Sequence, residues 1–260
     1  MKVVILCGGK GTRLREETEY RPKPMVPIGN RPILWHIMKT YAHFGHREFV
    51  LCLGYKGEMI KEFFRNYLWN TCDVTLSLGQ KPAATFHDGH GEEDWKVTLA
   101  DTGENSMTAS RVKQIQRHIP KDEPFMLTYG DGLATIDIKA LVAAHKKSRK
   151  VCTLSAVHPA GRFGSLRIEA DGRIETFNEK PQFEEAQVNG GYMVCEYKMF
   201  DYLPDDPNIM LERQPMDRLV ADHQLNAYHH KGFWQPMDTY QEMQHLDTLW
   251  REGRAPWKVW

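Results

Sequence analysis

Short apolar runs alternate with amphipathic segments along most of the chain, which is the pattern of βαβ units around a mostly parallel sheet. Residues 3–7 are continuously apolar, which predicts a first strand buried on both faces. In residues 30–45 the apolar positions form one stripe, Pro32 suits the first turn of a helix, and Gly45 is a stop signal. The same criteria predict strands at 48–54, 73–78, 96–103 and 124–132, and helices at 56–68, 106–118 and 137–147.

The alternation of strands and helices changes near residue 151, where consecutive strands follow one another. The predicted elements of this part are strands at 151–157, 164–177, 190–197 and 225–230 and helices at 209–223 and 238–252. The second of these strands is expected to be a hairpin that turns at Asp171–Gly172. Residues 79–94 are polar and rich in Gly, His and acids, which predicts a long loop or an irregular hairpin. We therefore expect one α/β domain with a C-terminal elaboration.

Composition narrows the classes of partner that the protein could bind. The 260 residues contain 34 Lys and Arg against 34 Asp and Glu, and this balance argues against nucleic acid or an anionic membrane as a partner. No apolar stretch approaches the roughly 18–20 residues of a membrane helix, and the run before Gly8 is too short for a signal peptide. The five cysteines make no CxxC pair, so neither a zinc site nor a disulfide framework is indicated. We expect a cytoplasmic protein with buried thiols.

The stretch after the first predicted strand has the composition of an anion-binding loop. Residues 6–25 hold three glycines, five cations and two prolines. Backbone N–H groups can converge on phosphates there, and arginine and lysine side chains can bind phosphate oxygens. The glycine spacing matches neither a Walker A loop nor a Rossmann dinucleotide loop, which also argues against an NAD-binding oxidoreductase. A tight surface turn with solvated cations is the alternative, but a turn needs only one or two such residues.

Residues 8–37, GGKGTRLREETEYRPKPMVPIGNRPILWHI, resemble the signature of the sugar-1-phosphate nucleotidylyltransferases. The resemblance continues through YGDG, FNEKP, NGGY and GFWQPMDT and covers essentially the whole chain. It implies a Rossmann-like, mostly parallel mixed sheet flanked by helices within a single domain over 1–260. The nucleotide part would occupy about 1–150 and the sugar-binding and helical part about 151–260. Among the branches of the family, the one that uses CTP and glucose 1-phosphate is the most similar. A homo-oligomer such as a hexamer is also implied.

The resemblance assigns roles to particular residues of this chain. Arg13, Lys23, Asp131 and Asp238 are implied as catalytic, and the two aspartates as ligands of Mg²⁺. The implied nucleotide contacts are Leu6, Gly8, Gly9, Lys10, Gly11, Thr12, Arg13, Lys23, Ser106, Arg111 and Gly130. The implied contacts of the sugar phosphate are Glu179, Lys180, Asn189 and Gly190.

Several of these residues have simpler interpretations. Asp131 follows an apolar strand, where open α/β sheets present their ligands, but it could be an ordinary turn residue. Asp238 could be the N-cap of the helix that follows it. Glu179 and Lys180 could form a charge pair at a hairpin end, and Gly190 could simply start a strand. In the family branch two glycines precede the arginine, whereas Ala109–Ser110 stand here, so the choice of base stays open.

The expected chemistry needs no catalytic histidine or serine. A sugar 1-phosphate is largely dianionic at pH 7, because its second pKa is about 6, so its oxygen can attack without a general base. Positioning and charge neutralisation by cations and a metal are sufficient. Lys23 would act at the α-phosphate, Arg13 at the departing pyrophosphate and Lys180 at the sugar phosphate. The alternatives are another nucleotide such as UTP or dTTP, another sugar 1-phosphate, or a non-catalytic regulatory protein that binds a nucleotide sugar.

Overall fold

The computed structural model describes residues 1–87, 94–159, 165–169, 173–178 and 187–260. The strands in chain order are β1 Val3–Leu6, β2 Pro27–Ile28, β3 Arg31–Pro32, β4 Glu48–Leu53, β5 Asp73–Ser77, β6 Ala83–His87, β7 Lys96–Asp101, β8 Phe125–Tyr129, β9 Gly132–Ala134, β10 Cys152–Val157, β11 Ser165–Ile168, β12 Ile174–Asn178, β13 Val188–Cys195, β14 Leu225–His230 and β15 Trp234–Pro236. The α-helices are α1 Arg15–Thr18, α2 Ile33–His43, α3 Gly57–Arg65, α4 Tyr67–Thr71, α5 Thr108–Gln114, α6 Ile138–Ser148, α7 Gln214–Ala221 and α8 Tyr240–Arg251. Short 3₁₀ helices span Lys23–Met25, Ile115–His118 and Tyr197–Tyr202.

A seven-stranded sheet in the order β14-β10-β13-β8-β1-β4-β7 forms the centre of the fold. β1 pairs in parallel with both β4 and β8, while β13 is antiparallel to β8 and β10. The carboxyl ends of the parallel strands therefore meet at one edge, and β13 starts at that same edge. Ligands of open α/β sheets bind at such an edge. The mixed, mostly parallel sheet flanked by helices is confirmed.

The apolar side chains of β1 explain why the sheet is covered on both faces. Val3 and Ile5 pack into one core with the apolar stripe of α2, and Val4 and Leu6 pack into a second core with α5. Alternate residues of a strand point to opposite faces, so a continuously apolar strand needs a cover on each side. The sheet thus fixes the position of the loop that leaves β1.

Most predicted elements are present, and their ends differ for local reasons. Pro32 is the N-cap of α2 rather than a residue of its first turn, since it pairs with Pro27 in a short hairpin. The helix predicted at 56–68 breaks at Asn66 into α3 and α4. Residues 79–94 were predicted as a loop or an irregular hairpin, and β6 does pair antiparallel with β5.

Two further helices are shorter than the sequence pattern predicts. The segment 106–118 is α5 followed by a 3₁₀ turn, and α7 covers only Gln214–Ala221 of the predicted 209–223. The hairpin of 164–177 is present as β11 and β12, but its predicted turn at Asp171–Gly172 lies outside the described residues. Among the described helices, none is both long enough and apolar enough to cross a membrane.

Candidate active site

The loop after β1 exposes backbone and cations at the carboxyl edge of the sheet. Gly9, Lys10, Thr12 and Arg13 are exposed, whereas Gly8 is buried. Gly11 has a φ of +63°, and a Cβ there would lie 2.7 Å from Cγ2 of Thr18, so glycine is needed both for backbone freedom and for space. The exposed part of the loop can meet an anionic ligand without moving the strand behind it.

Arg111, predicted as a nucleotide contact, lies buried beneath this loop. Its guanidinium donates to the carbonyl oxygen of Gly8 at 2.9 Å, and it also bonds the carbonyl of Leu53 at 3.0 Å and Oγ1 of Thr102 at 2.8 Å. Two more bonds reach the carbonyls of Gly103 and Glu104. In this structure the guanidinium therefore joins the loop to the ends of β4 and β7.

Ser106, Ala109 and Ser110 lie close to Arg111 along the chain. The hydroxyl of Ser106 lies 3.4 Å from Nε2 of Gln114, which also bonds Oγ of Ser110 at 3.2 Å. Ala109 is fully buried in the core that α5 shares with the sheet. Ala109 and Ser110 thus fill the buried side of α5, and neither lines the large cavity described below.

All four predicted catalytic residues meet at one point. Nζ of Lys23 donates to Oδ2 of Asp131 at 2.6 Å and to Oδ1 of Asp238 at 2.7 Å. Nη1 of Arg13 lies 2.7 Å from the other oxygen of Asp238. Lys23 opens the 3₁₀ helix Lys23–Met25, Asp131 follows β8, and Asp238 follows β15. Separate parts of the chain therefore build this centre, in which two cations and two carboxylates alternate.

The environment of Lys23 keeps its side chain protonated. Burial alone would lower its pKa, but the charge of Asp131 and hydrogen bonds to Asp131 and Asp238 outweigh that effect, so the pKa lies above its ordinary value. The group at the centre of the site is therefore an ammonium ion, which suits a role beside phosphates.

The structure excludes one of the two interpretations of Asp238, that of a helix N-cap. Thr239, not Asp238, is the N-cap of α8, and it forms a capping box with Glu242. The Glu242 carboxylate also accepts the backbone N–H of Asp238 at 2.7 Å. The N-cap alternative for Asp238 is wrong, and its carboxylate is turned to the two cations instead. The T-x-x-E spacing at 239–242 is the signal in the sequence that could have shown this.

Asp131 and Asp238 could hold a divalent metal only if water or substrate oxygens completed its coordination. Both carboxylates accept a hydrogen bond from the same ammonium group, that of Lys23. One oxygen of Asp131 therefore lies close to one oxygen of Asp238. Within the described residues, no group of three or more His, Cys, Asp or Glu side chains could hold a metal on its own. Mg²⁺ typically takes one or two carboxylates and completes its octahedron with water and phosphate oxygens, which is compatible with this pair.

A cavity of about 990 Å³ extends from this centre along the ends of β8 and β13. Nε1 of Trp234 donates to the carbonyl of Gly190 at 2.8 Å, and Oδ1 of Asn189 accepts the N–H of Gly191 at 2.9 Å. Gly190 is a residue of β13 and also lines the cavity. Glu179 and Lys180 lie outside the described residues. The walls of the cavity include Arg13, Tyr129, Asp131, Asn189, Gly190, Glu212, Trp234 and Asp238.

Two wall residues, Tyr129 and Glu212, were not found from the sequence. The Tyr129 hydroxyl bonds Glu212 on the cavity wall, and Trp234 supports Gly190. Trp234 belongs to the quoted motif GFWQPMDT, whereas Glu212 follows no recognisable pattern. The fold and the site together define an α/β protein with a large polar cavity and a charged cluster at the carboxyl edge of its sheet.

Comparison with known proteins places the chain in a family. The family model described as "Nucleotidyl transferase" matches residues 2–239, and the chain belongs to this family. The chain is 47% identical to the glucose-1-phosphate cytidylyltransferases of Salmonella typhi and Salmonella typhimurium over 260 residues, which is 100% of each chain. The resemblance of residues 8–37 to sugar-1-phosphate nucleotidylyltransferases is thereby confirmed. Members of the family generally use a divalent metal.

Solved structures show the same fold at low sequence identity. UDP-glucose pyrophosphorylase, in a complex with UDP-glucose, superposes with a TM-score of 0.69 at 16% identity, and the match covers 97% of this chain and 99% of that one. At this identity the match establishes the arrangement of strands and helices and nothing finer.

Proposed function

We propose that the protein transfers a cytidylyl group from CTP to α-D-glucose 1-phosphate and releases pyrophosphate. The observation that carries the proposal is the Lys23 ammonium held between Asp131 and Asp238, next to the glycine loop. Identity of 47% over the full length to two named glucose-1-phosphate cytidylyltransferases supports CTP and glucose as the substrates.

The reaction is an in-line displacement at the α-phosphorus. An oxygen of the sugar phosphate supplies the electron pair of the new bond, and the bond from the α-phosphorus to its bridging oxygen breaks with that pair leaving on pyrophosphate. Lys23 stabilises charge at the α-phosphate and at the incoming sugar phosphate. Arg13, on the exposed loop, binds the departing pyrophosphate. No side chain has to take a proton, since the attacking phosphate is already a dianion near pH 7.

Asp131 and Asp238 are the residues that would hold Mg²⁺. When bound, this ion would neutralise phosphate charge and orient the two substrates. Asp238 is fixed from behind by Glu242, and Asp131 follows the rigid strand β8. The carboxylates can therefore keep their positions when Lys23 turns from them towards a phosphate.

We assign the remaining predicted residues to the two substrates. Gly8 to Thr12 with Leu6 and Gly130 would bind the triphosphate, and Ser106 and Arg111 would support the nucleotide side. Asn189 and Gly190 lie on the cavity wall, where a hexose would be close to the metal-binding carboxylates. Glu179 and Lys180 stay predicted contacts of the sugar and its phosphate.

The proposal is tested by pyrophosphate release with Mg²⁺, glucose 1-phosphate and each of CTP, UTP, dTTP, ATP and GTP. Release that depends strongly on CTP supports the proposal in full. Release with another nucleotide keeps the reaction and overturns the assignment of the base. Silence with all five and with a panel of other sugar 1-phosphates would favour a regulatory protein that binds nucleotide sugars. Asp131→Ala should abolish most turnover, by about 10²- to 10³-fold, because a stabilising contact at the transition state is lost.

A homo-oligomer and a cytoplasmic location are further parts of the proposal. Exposed apolar side chains lie on α4, at Leu68 and Trp69, and on or just after β5, at Leu76 and Leu78, which supports self-association. All five cysteines are free thiols, which suits a reducing compartment. Light scattering of the purified protein measures the first property, and a monomer would overturn it.

A further inference from the structure

Glu212 places a carboxylate on the cavity wall away from the cationic centre. It lies between β13 and α7 and lines the same cavity as Asp131 and Asp238. The Tyr129 hydroxyl donates to Oε1 of Glu212, and the Thr108 hydroxyl donates to Oε2 at 2.8 Å. Both partners are uncharged, and within the described part of the chain no lysine or arginine forms an ion pair with Glu212. The carboxylate therefore lines the cavity with hydroxyl donors beside it and no cation paired to it in the described part of the chain.

The side chains around Glu212 hold it in one orientation. The ring of Tyr129 fits beside β13 only because residue 191 is glycine, since a Cβ there would lie 2.7 Å from Cδ2 of Tyr129. On the other side, Oγ1 of Thr108 accepts the N–H of Leu211 at 2.7 Å, which anchors the segment before Glu212.

The charge of Glu212 restricts what it can contact in a substrate complex. A carboxylate repels a phosphate, and it can only accept hydrogen bonds. Its two oxygens have about four lone-pair sites, of which Tyr129 and Thr108 occupy two. Asn189 and Gly190, which we assign to the hexose, line the same cavity. An uncharged hydroxyl donor is therefore the fitting partner at this position.

We propose that Glu212 is a specificity-determining residue that accepts a hydrogen bond from a hydroxyl group of the hexose, with Tyr129 and Thr108 fixing its orientation. This inference rests on the proposed function and adds a residue to its sugar side. It also gives a purpose to Gly191, which makes room for the Tyr129 ring.

The test compares Glu212→Gln with wild type on glucose 1-phosphate and on its 2-, 3-, 4- and 6-deoxy analogues. Glutamine keeps the shape of the side chain but loses the charge and one acceptor oxygen. We expect kcat/KM for glucose 1-phosphate to fall by about 10- to 100-fold, as for loss of a hydrogen bond to a charged group. With one deoxy analogue the variant and wild type should be equal within about threefold, because the hydroxyl that Glu212 binds is already missing. The KM for CTP should not change.

Glu123→Gln is the matched control, since this exposed glutamate lies at the opposite end of β8. It should behave as wild type with every sugar phosphate. A loss in Glu212→Gln that is equal for all four deoxy analogues would indicate a purely structural role and would overturn the inference. A loss confined to the KM for CTP would also overturn it, since Glu212 would then contact the base.

Failure of the proposed function can be told apart from failure of this inference. If wild type releases no pyrophosphate from CTP and glucose 1-phosphate, the proposed function fails. Calorimetric binding of the hexose 1-phosphates to both proteins then decides the role of Glu212. Weaker binding to Glu212→Gln, with the loss absent for one deoxy analogue, would support it. Equal binding, or no binding to wild type, would overturn it.

Discussion

Two cations reach the same carboxylate from very different surroundings. Arg13 and Lys23 each lie 2.7 Å from an oxygen of Asp238, but the Arg13 side chain is 67% exposed and the Lys23 side chain only 9%. An exposed ion pair contributes little to the free energy of folding. Removing one partner of a buried pair, in contrast, is strongly destabilising because the other charge is left buried without a partner. Arg13 can therefore exchange Asp238 for a phosphate at almost no loss of stability. Lys23 belongs to the folded structure as well as to the site.

Replacing Lys23 by methionine should have the largest effect. It leaves Asp131 without its cation and Asp238 with Arg13 alone, and breaking a buried ion pair in this way costs about 3–5 kcal/mol of the free energy of unfolding. Turnover should fall by about 10²- to 10³-fold or more. Urea unfolding and steady-state kinetics measure the two effects.

Adding a second substitution to Lys23→Met separates the effect on stability from the effect on activity. In Lys23→Met with Asp131→Asn the carboxylate left without a cation is removed while Asp238 keeps Arg13, so much of the stability should return while turnover stays low. Added Mg²⁺ should raise the melting temperature of Lys23→Met more than that of wild type, because the carboxylates no longer have a competing ammonium. If Lys23→Met alone is as stable as wild type, the contrast between a buried Lys23 and an exposed Arg13 is contradicted.

His36 is a buried base that pairs with no carboxylate among the described residues, and it sharpens the comparison with Lys23. Burial lowers its pKa to about 4 from the ordinary 6.5, and its Nε2 bonds the carbonyl of Ile28 at 3.0 Å. As the pH falls below 6.5 the unfolded chain takes up a proton that the folded protein does not. The free energy of unfolding should therefore fall by about 3 kcal/mol between pH 6.5 and 4. Below pH 4 the protonation of His36 should lower it no further.

Denaturant unfolding across this pH range checks the effect of His36. The matched variant is His36→Gln, which keeps an N–H donor near Ile28 but does not titrate. It should be less stable at pH 7, and the difference from wild type should shrink as the pH approaches 4. A constant difference across the range would show that His36 is not the titrating group.

A substitution in the glycine loop should have the next smaller effect on stability. A Cβ on Gly8 would lie 2.2 Å from Nη1 of Arg111, so Gly8→Ala must displace the guanidinium that joins the loop to the sheet. We expect a loss of about 2 kcal/mol, as for overpacking, and a raised KM for CTP. Gly9→Ala is the control for stability, because a Cβ at Gly9 would meet no atom of the described chain within 4 Å. Equal melting temperatures of the two variants would contradict this account.

The parts of the molecule that were predictable from the sequence are those encoded locally. The continuous apolar run of β1 and the stripe of α2 follow from periodicity, and the glycine loop is a contiguous motif. The contacts of Lys23 join residues 108 and 215 positions apart, so a single sequence gives no physical reason to pair them. The resemblance to a family grouped Asp131 with Asp238 as metal ligands, and the ion pairs of Lys23 with both are seen only in the structure. Arg111 has the residue type of a phosphate ligand, and only the fold shows that it bonds carbonyls beneath the loop.

Arg13→Gln should have the smallest effect on folding. Its ion pair with Asp238 is exposed, so the free energy of unfolding should change by no more than about 0.5 kcal/mol. Activity should respond differently, because Arg13 is proposed to bind pyrophosphate. In the reverse reaction the KM for pyrophosphate should rise at least about tenfold, as for loss of a charge-assisted hydrogen bond. Arg15→Gln, at the exposed start of α1, is the control and should change neither quantity. A destabilisation of Arg13→Gln comparable to that of Lys23→Met would mean that exposure does not distinguish the two cations.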